Sequence, residues 1–346
     1  MEIQIFTESL IKKAKLSGRY STADSYLSTL HRLQLFTNAP DMHFDKITPE
    51  LIKAFEQHLF QKGLFDNTVS LYMRMLRSIF NQAVTAGVAT LNTKEIFENV
   101  FVGCDATAKR AIKPVLINQL LETDLSHCPQ LEFSRDMFLL SFYLQGIPFV
   151  DLAYLRKSNV NGNILIYRRQ KTGQQLYITI EKCAAKIIKR YACRCKDSAY
   201  LLPILKATGE TGYRQYKSAL RLYNKHLHRI SDLIKITPQL TSYVARHTWA
   251  STARENGIPV SIISTGMGHS SEKVTYVYLE SLDNKTMSDA NKKVISAVTS
   301  KRKNITKKKS LTSFIATKLD INFQCETILS DIFFLNHKLI SPIHVF

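Results

Sequence analysis

The chain reads Thr241-Ser242-Tyr243-Val244-Ala245-Arg246-His247-Thr248-Trp249-Ala250, meets a stop at Gly257, and continues as Gly266-Met267-Gly268-His269-Ser270-Ser271 up to Tyr276-Val277-Tyr278-Leu279. Thr241 can cap a helix that carries Arg246 and His247 and ends at Gly257. The serines after His269 offer another capped start, opening a short helix with Tyr276 and Tyr278.

Upstream of this stretch the period changes. Ile164-Leu165-Ile166-Tyr167 and Leu176-Tyr177-Ile178-Thr179-Ile180 are strand-like runs on either side of Lys171-Thr172-Gly173, which predicts a hairpin with basic residues at its tip. Helical patterns flank it, one beginning near Ser134 and another running from Glu181 to about Val298. The first hundred residues also read as helical. Thr48-Pro49-Glu50 supplies an N-cap, a proline at the first position and an acidic first turn. Leu51, Ile52, Phe55, Leu59 and Phe60 then follow at helical spacing as far as Gly63. A second start at Asn67 leads through Val69, Met73, Leu76 and Phe80 to Gly87, and an earlier helix carries Tyr26, Leu27, Leu30, Leu33 and Phe36. The polar faces hold Lys12, Lys13, Lys15, Arg19, Arg32, Arg74 and Arg77, a basic surface suited equally to solvent and to phosphate. Periodicity lapses between Val102 and Pro114, as expected of a linker. From Lys301 a run of lysines precedes an apolar stretch without a clear period.

The 346 residues favour two domains over one core, and a net charge of +19 favours a polyanionic partner, nucleic acid first. Cys104, Cys128, Cys183, Cys193, Cys195 and Cys325 form no paired zinc-ligand spacing, so free thiols in a reducing cytoplasm are expected, with no metal. The start Met-Glu-Ile-Gln-Ile lacks the features of a signal peptide. The most apolar stretch, Met137 to Leu155, is broken by Gln145, Gly146, Pro148 and Asp151 and reads as a buried helix and turn instead of a membrane span.

Arg246-His247-Thr248 followed by an aromatic and an alanine, Gly268-His269-Ser270, Tyr278 nine residues past that histidine, and the hairpin lysine of Lys171-Thr172-Gly173 together resemble the tyrosine recombinase, or phage integrase, family. The likeness spans about residues 10 to 298, and its wording is most similar to integrases of Bacteroides-type mobile elements. It implies a mainly α fold with a small antiparallel β-sheet. A helical core-binding (SAM-like) DNA-binding domain would occupy 1–101, a linker 102–113, an α/β catalytic domain 114–300 and a basic tail 301–346. It also implies double-stranded DNA as partner, a homotetramer on two recombination sites with a neighbour-docking segment near Asp289 to Val298, and a bacterial, nucleoid-associated location. No cofactor, membrane or small-molecule substrate is expected.

The resemblance assigns roles that chemistry explains. Tyr278 would be the nucleophile, conserving the bond energy as a 3′-phosphotyrosine. Arg246 would clamp the pentacoordinate phosphate with its planar fork, and His269 would donate to the same phosphate. Lys171 would protonate the leaving 5′ oxygen. Tyr243 stands where the family often has a histidine, and a phenol can still donate. Tyr276 is the local rival of Tyr278, and His247 is expected to buttress the fold. A larger departure is Gly146-Ile147-Pro148-Phe149-Val150-Asp151, where Pro148 stands in place of a first catalytic arginine; Arg169 and Arg156 are candidates to replace it. The departure keeps open an alternative, a DNA-binding relative that has lost cleavage and serves as an accessory or regulatory protein. A type IB topoisomerase-like nicking-closing enzyme would share the chemistry without the synapsis.

Overall fold

The computed structural model describes residues 1–90, 92–103, 110–269, 271–276 and 279, with 291, 292 and 294–296 beyond. The chain divides into two units, Met1–Glu280 and Ser281–Phe346.

The first unit opens with five helices, α1 (Ile3–Leu16), α2 (Tyr20–Thr37), α3 (Pro49–Gln61), α4 (Asp66–Thr85) and the short α5 (Thr93–Ile96). Thr48 caps α3 as expected: its hydroxyl accepts the Leu51 N–H at 3.2 Å, with Pro49 at the first helical position. Ile52, Phe55, Leu59, Met73, Leu76, Ile79 and Phe80 are fully buried in one cluster, each such side chain contributing on the order of 1.5–3 kcal/mol. Leu27 and Phe60, periodic in sequence, lie at the margin of that face and stay exposed.

A second cluster begins at Ile112. The helices that follow are α6 (Pro114–Glu122), α7 (Pro129–Tyr143), α8 (Phe149–Tyr154), α9 (Lys182–Ala192), α10 (Gly209–Ile234), α11 (Val244–Glu255), α12 (Val260–Met267) and α13 (Glu272–Tyr276). Helix α7 packs against α9, α10 and α11 and is buried on most sides, which is why its apolar residues show no single stripe. It starts at Pro129, earlier than Ser134, and α6 precedes it; both helices open on a proline. After α7 the chain reverses through Gln145 and Gly146, both at positive φ, into α8, so the Met137–Leu155 stretch holds the buried helix and turn expected and, beyond them, a second short helix. No helix among the described residues is long and apolar enough to cross a membrane.

Between α8 and α9 lies a three-stranded antiparallel sheet, ordered β1 (Val160–Asn161), β2 (Ile164–Arg168), β3 (Gln175–Thr179). Leu165 pairs with Ile178 and Tyr167 with Leu176, and these four face the core while Tyr177 faces out. The β2–β3 connection closes through the Gly173 N–H to the Arg169 carbonyl, 2.8 Å, with Gly173 at φ +69°. The hairpin expected around Lys171 is therefore present, with Lys171 exposed on its turn.

The two clusters meet at a polar seam. Glu210 at the start of α10 takes Lys15 of α1 at 3.0 Å and Arg214 at 2.9 Å. Asp24 of α2 accepts from the Tyr213 hydroxyl at 2.7 Å, and the Tyr20 and Tyr213 rings stack.

Helices α7 and α9 are tied chiefly through Asp136, with Glu132 also accepting from Arg190 at 3.1 Å. Asp136 accepts from Arg135 at 2.9 Å, from Arg190 at 2.6 Å and from the Tyr191 hydroxyl at 2.8 Å, with Arg135 itself buried. Asp136→Ala takes the buried counter-charge from Arg135, leaving it the Thr123 carbonyl and a long contact to Glu132, and a loss of about 3 kcal/mol in urea unfolding is expected.

Candidate active site

Helix α11 begins at Val244, two residues before its buried arginine. The Val244 N–H bonds the Thr241 carbonyl, not its hydroxyl, which is buried with no hydrogen-bond partner, so the cap expected from Thr241 is a backbone turn. Thr248, also fully buried, accepts the Ile112 N–H at 3.1 Å and so ties α11 to the segment that enters from the first module. Arg246, on the first turn of α11, is 2% exposed. Its guanidinium donates to the Gly146 carbonyl at 2.8 Å and to the Met267 carbonyl at 2.7 Å, and Nη2 also lies 2.8 Å from His269 Nε2. Gly146 permits this approach: a Cβ there would stand 2.9 Å from the Arg246 Cα.

Helix α12 ends at Met267, with Gly268 left-handed at φ +65°. The last carbonyls of a helix lack partners within it and carry its negative end, so they attract cations. Two guanidiniums arrive. Arg246 takes the Met267 carbonyl, and Arg169, from the end of β2, donates Nη1 to Met267 at 3.1 Å and to Gly268 at 2.8 Å. Arg169 is 8% exposed, and its Nε faces Asp151 Oδ2 at 3.4 Å. Burial pushes the Asp151 carboxyl up, against the lowering effect of the Gln170 N–H and of both arginines.

His269 follows directly. A guanidinium only donates, so Nε2 is the acceptor and Nδ1 carries the proton toward Thr275 Oγ1, 2.8 Å away. Burial, then the charges of Arg246, Arg169 and Lys171, hold this imidazole down at about 3.

The structure thus brings Arg246 and His269 into contact and sets Lys171 within electrostatic reach of His269. Tyr243, half-exposed at the start of α11, lines a depression with Pro148 and Arg246. Tyr278 lies outside the described residues; its chain neighbour Leu279 is buried in a small cluster with Ala250, Ile263 and Met267. Tyr276 is 52% exposed at the end of α13, and His247 is buried. Arg156 is exposed over the Tyr200 ring and takes no part. Asp151 and Thr275 were not singled out from the sequence as site residues; Asp151 carried a signal, as the acidic end of the Gly146–Asp151 word, and Thr275 none. Among the described residues no group of His, Cys, Asp or Glu could hold a metal ion.

His269 ties stability to pH. The unfolded imidazole takes a proton near 6.5 and the folded one only near 3, so stability falls as pH drops through that window. The urea midpoint is expected to decline between about pH 7 and about pH 5, and His269→Gln should flatten part of that decline.

Comparison with known proteins agrees with this layout. Residues 4–98 match the phage integrase SAM-like domain, and residues 114–285 match the phage integrase family. The tyrosine recombinase XerC of Thermodesulfovibrio yellowstonii is 25% identical over 258 residues, 71% of this chain and 82% of the relative. The fold is shared with the Tn1549 transposon integrase in complex with transposon right end DNA (TM-score 0.58, 13% identity, 85% of this chain and 100% of that one). It is shared as well with a lambda integrase tetramer bound to a Holliday junction (TM-score 0.53, 14% identity, 74% and 72%). With both domain models matched in order, the chain belongs to the phage integrase family, the tyrosine recombinases.

Proposed function

We propose that this chain is a site-specific DNA recombinase that cleaves and rejoins duplex DNA through a 3′-phosphotyrosyl link at Tyr278. The observation that carries the proposal is the contact of Arg246 with His269 at 2.8 Å in a buried pocket where cations outnumber carboxylates. Such a pocket is built for an anion. A scissile phosphate seated there would replace His269 as an acceptor for Arg246, and the imidazole would become a donor to a non-bridging oxygen. The Tyr278 hydroxyl gives up its proton to solvent as its oxygen attacks phosphorus, the bond to the 5′ oxygen breaks, and Lys171 on its exposed turn gives that oxygen a proton. The reverse attack by a 5′ hydroxyl restores the phosphodiester and frees the tyrosine. The burial of Leu279 beside Met267 supports Tyr278, because it anchors the nucleophile's neighbour within the same small cluster. Tyr243 is assigned a donor role at the rim, on its place beside Arg246.

Residues 1–101 form the core-binding half of this reading, 102–113 the linker and 114–300 the catalytic half, with 301–346 as a basic tail. The separate apolar clusters of the two halves support the division. The protein is taken to assemble as a homotetramer on two sites, as the lambda integrase relative does on a Holliday junction, and to work at the bacterial nucleoid. The docking segment expected near Asp289 to Val298 lies mostly outside the described residues.

A nicked suicide substrate carrying the native site tests the chemistry. Wild type is expected to form a covalent adduct that survives denaturation, and Tyr278→Phe to form none. Absence of any wild-type adduct would favour the accessory-protein alternative, and relaxation of arbitrary supercoiled plasmid would favour a topoisomerase.

Binding is expected to weaken by roughly a thousandfold between ~50 mM and ~200 mM salt in a fluorescence-anisotropy titration, because phosphate contacts release counterions. A flat salt profile would contradict binding through the phosphate backbone.

A further inference from the structure

Pro148 leaves the site one guanidinium short. It caps α8 and has neither charge nor N–H to offer. Yet Asp151, the acidic end of the same word, is fully buried and engaged: Oδ1 accepts the Gln170 N–H at 2.9 Å, and Oδ2 faces Arg169. We propose that Arg169 supplies the missing guanidinium, entering the phosphate site from the β2–β3 turn in place of an arginine on α8. The proposal rests on the phosphotyrosyl reading above and adds to it the second cation on the non-bridging oxygens.

Several independent features converge on this residue. An arginine at a hairpin end is ordinarily solvated, but Arg169 is 8% exposed. It shares an acceptor with Arg246, the Met267 carbonyl, so the two guanidiniums meet at one oxygen beside His269. Its Nε is directed to Asp151 and its Nη1 to the two carbonyls, while Nη2 has no acceptor among the described residues. That leaves a donor edge of the fork for a ligand oxygen. Gly268 is shaped for the arrangement, since a Cβ there would stand 2.6 Å from the Arg169 Cδ. Among the described residues the carboxylate that faces them is Asp151, against Arg169, Arg246 and nearby Lys171. The charge missing from this pocket is that of an anion, and a phosphodiester brings it.

In the transfer step negative charge grows on the two non-bridging oxygens, and one guanidinium from α11 and one from the hairpin would share it. Arg169→Ala, in the full-length protein on the nicked suicide substrate, is expected to form adduct about a hundredfold more slowly. Removing the arginine alone strands Asp151, so the paired variant Asp151→Asn/Arg169→Gln, which neutralises both partners at nearly constant volume, is measured beside it and should show the same loss. A substrate with a neutral methylphosphonate at the scissile position separates charge neutralisation from folding. If Arg169 acts on phosphate charge, the variants should fall behind wild type there by less than about tenfold. Adduct formation at the wild-type rate, or an equal loss on both substrates, would overturn the assignment while leaving the phosphotyrosyl reading intact. A wild-type protein that forms no adduct on either substrate would overturn both.

Discussion

Two buried guanidiniums converge on the carbonyl oxygen of Met267, and the architecture around the site is arranged to make that tolerable. Like charges in a pocket of low polarity repel strongly, so each needs compensation close by. The negative end of α12 supplies it to both, the Gly146 carbonyl adds to Arg246 and the Asp151 carboxylate to Arg169. Burial first, and then the positive field that remains, keep the His269 ring neutral. Helix α12 is thus less a packing element than a counter-charge, and Gly268 ends it where the carbonyls are needed.

How much of this could be read in advance depended on the kind of signal. Helix starts with a side-chain cap and a proline, such as Thr48-Pro49, and stops at Gly63 and Gly87 were legible because the backbone chemistry there is local. Helix α6 escaped notice because it is short, and α7 was expected only from near Ser134 because a helix buried all round shows no stripe to mark its start at Pro129. The order of Arg246, His269 and Tyr278 was recognisable by resemblance, but not the network that binds Arg246 to Gly146 and Met267, which joins residues 100 and 21 positions apart. Arg169 shows the limit most clearly. Read as a strand residue, it shares a face with Lys171; in the fold β2 ends at Arg168, alternation lapses in the turn, and Arg169 swings inward while Lys171 stays outside.

The protein also distributes its basic residues unevenly between structure and surface. Arg135, Arg169 and Arg246 are buried and bonded within the fold. Those cations belong to the formal excess but differ physically from Lys12, Lys13 or Arg74 on the helical module, which face solvent. Net charge therefore overstates the number of groups free to replace counterions along a nucleic-acid backbone.

The seam between α1–α2 and the start of α10 follows from the same division. It is made of solvated ion pairs, a phenol–carboxylate bond and a stacked ring pair, so its strength is small and fades with ionic strength. A join of this kind behaves as a snap fastener: firm enough to hold the halves in register, weak enough to be undone by thermal motion. How firmly α1 and α2 hold to the start of α10 is then set by solvent composition as much as by the residues of either half.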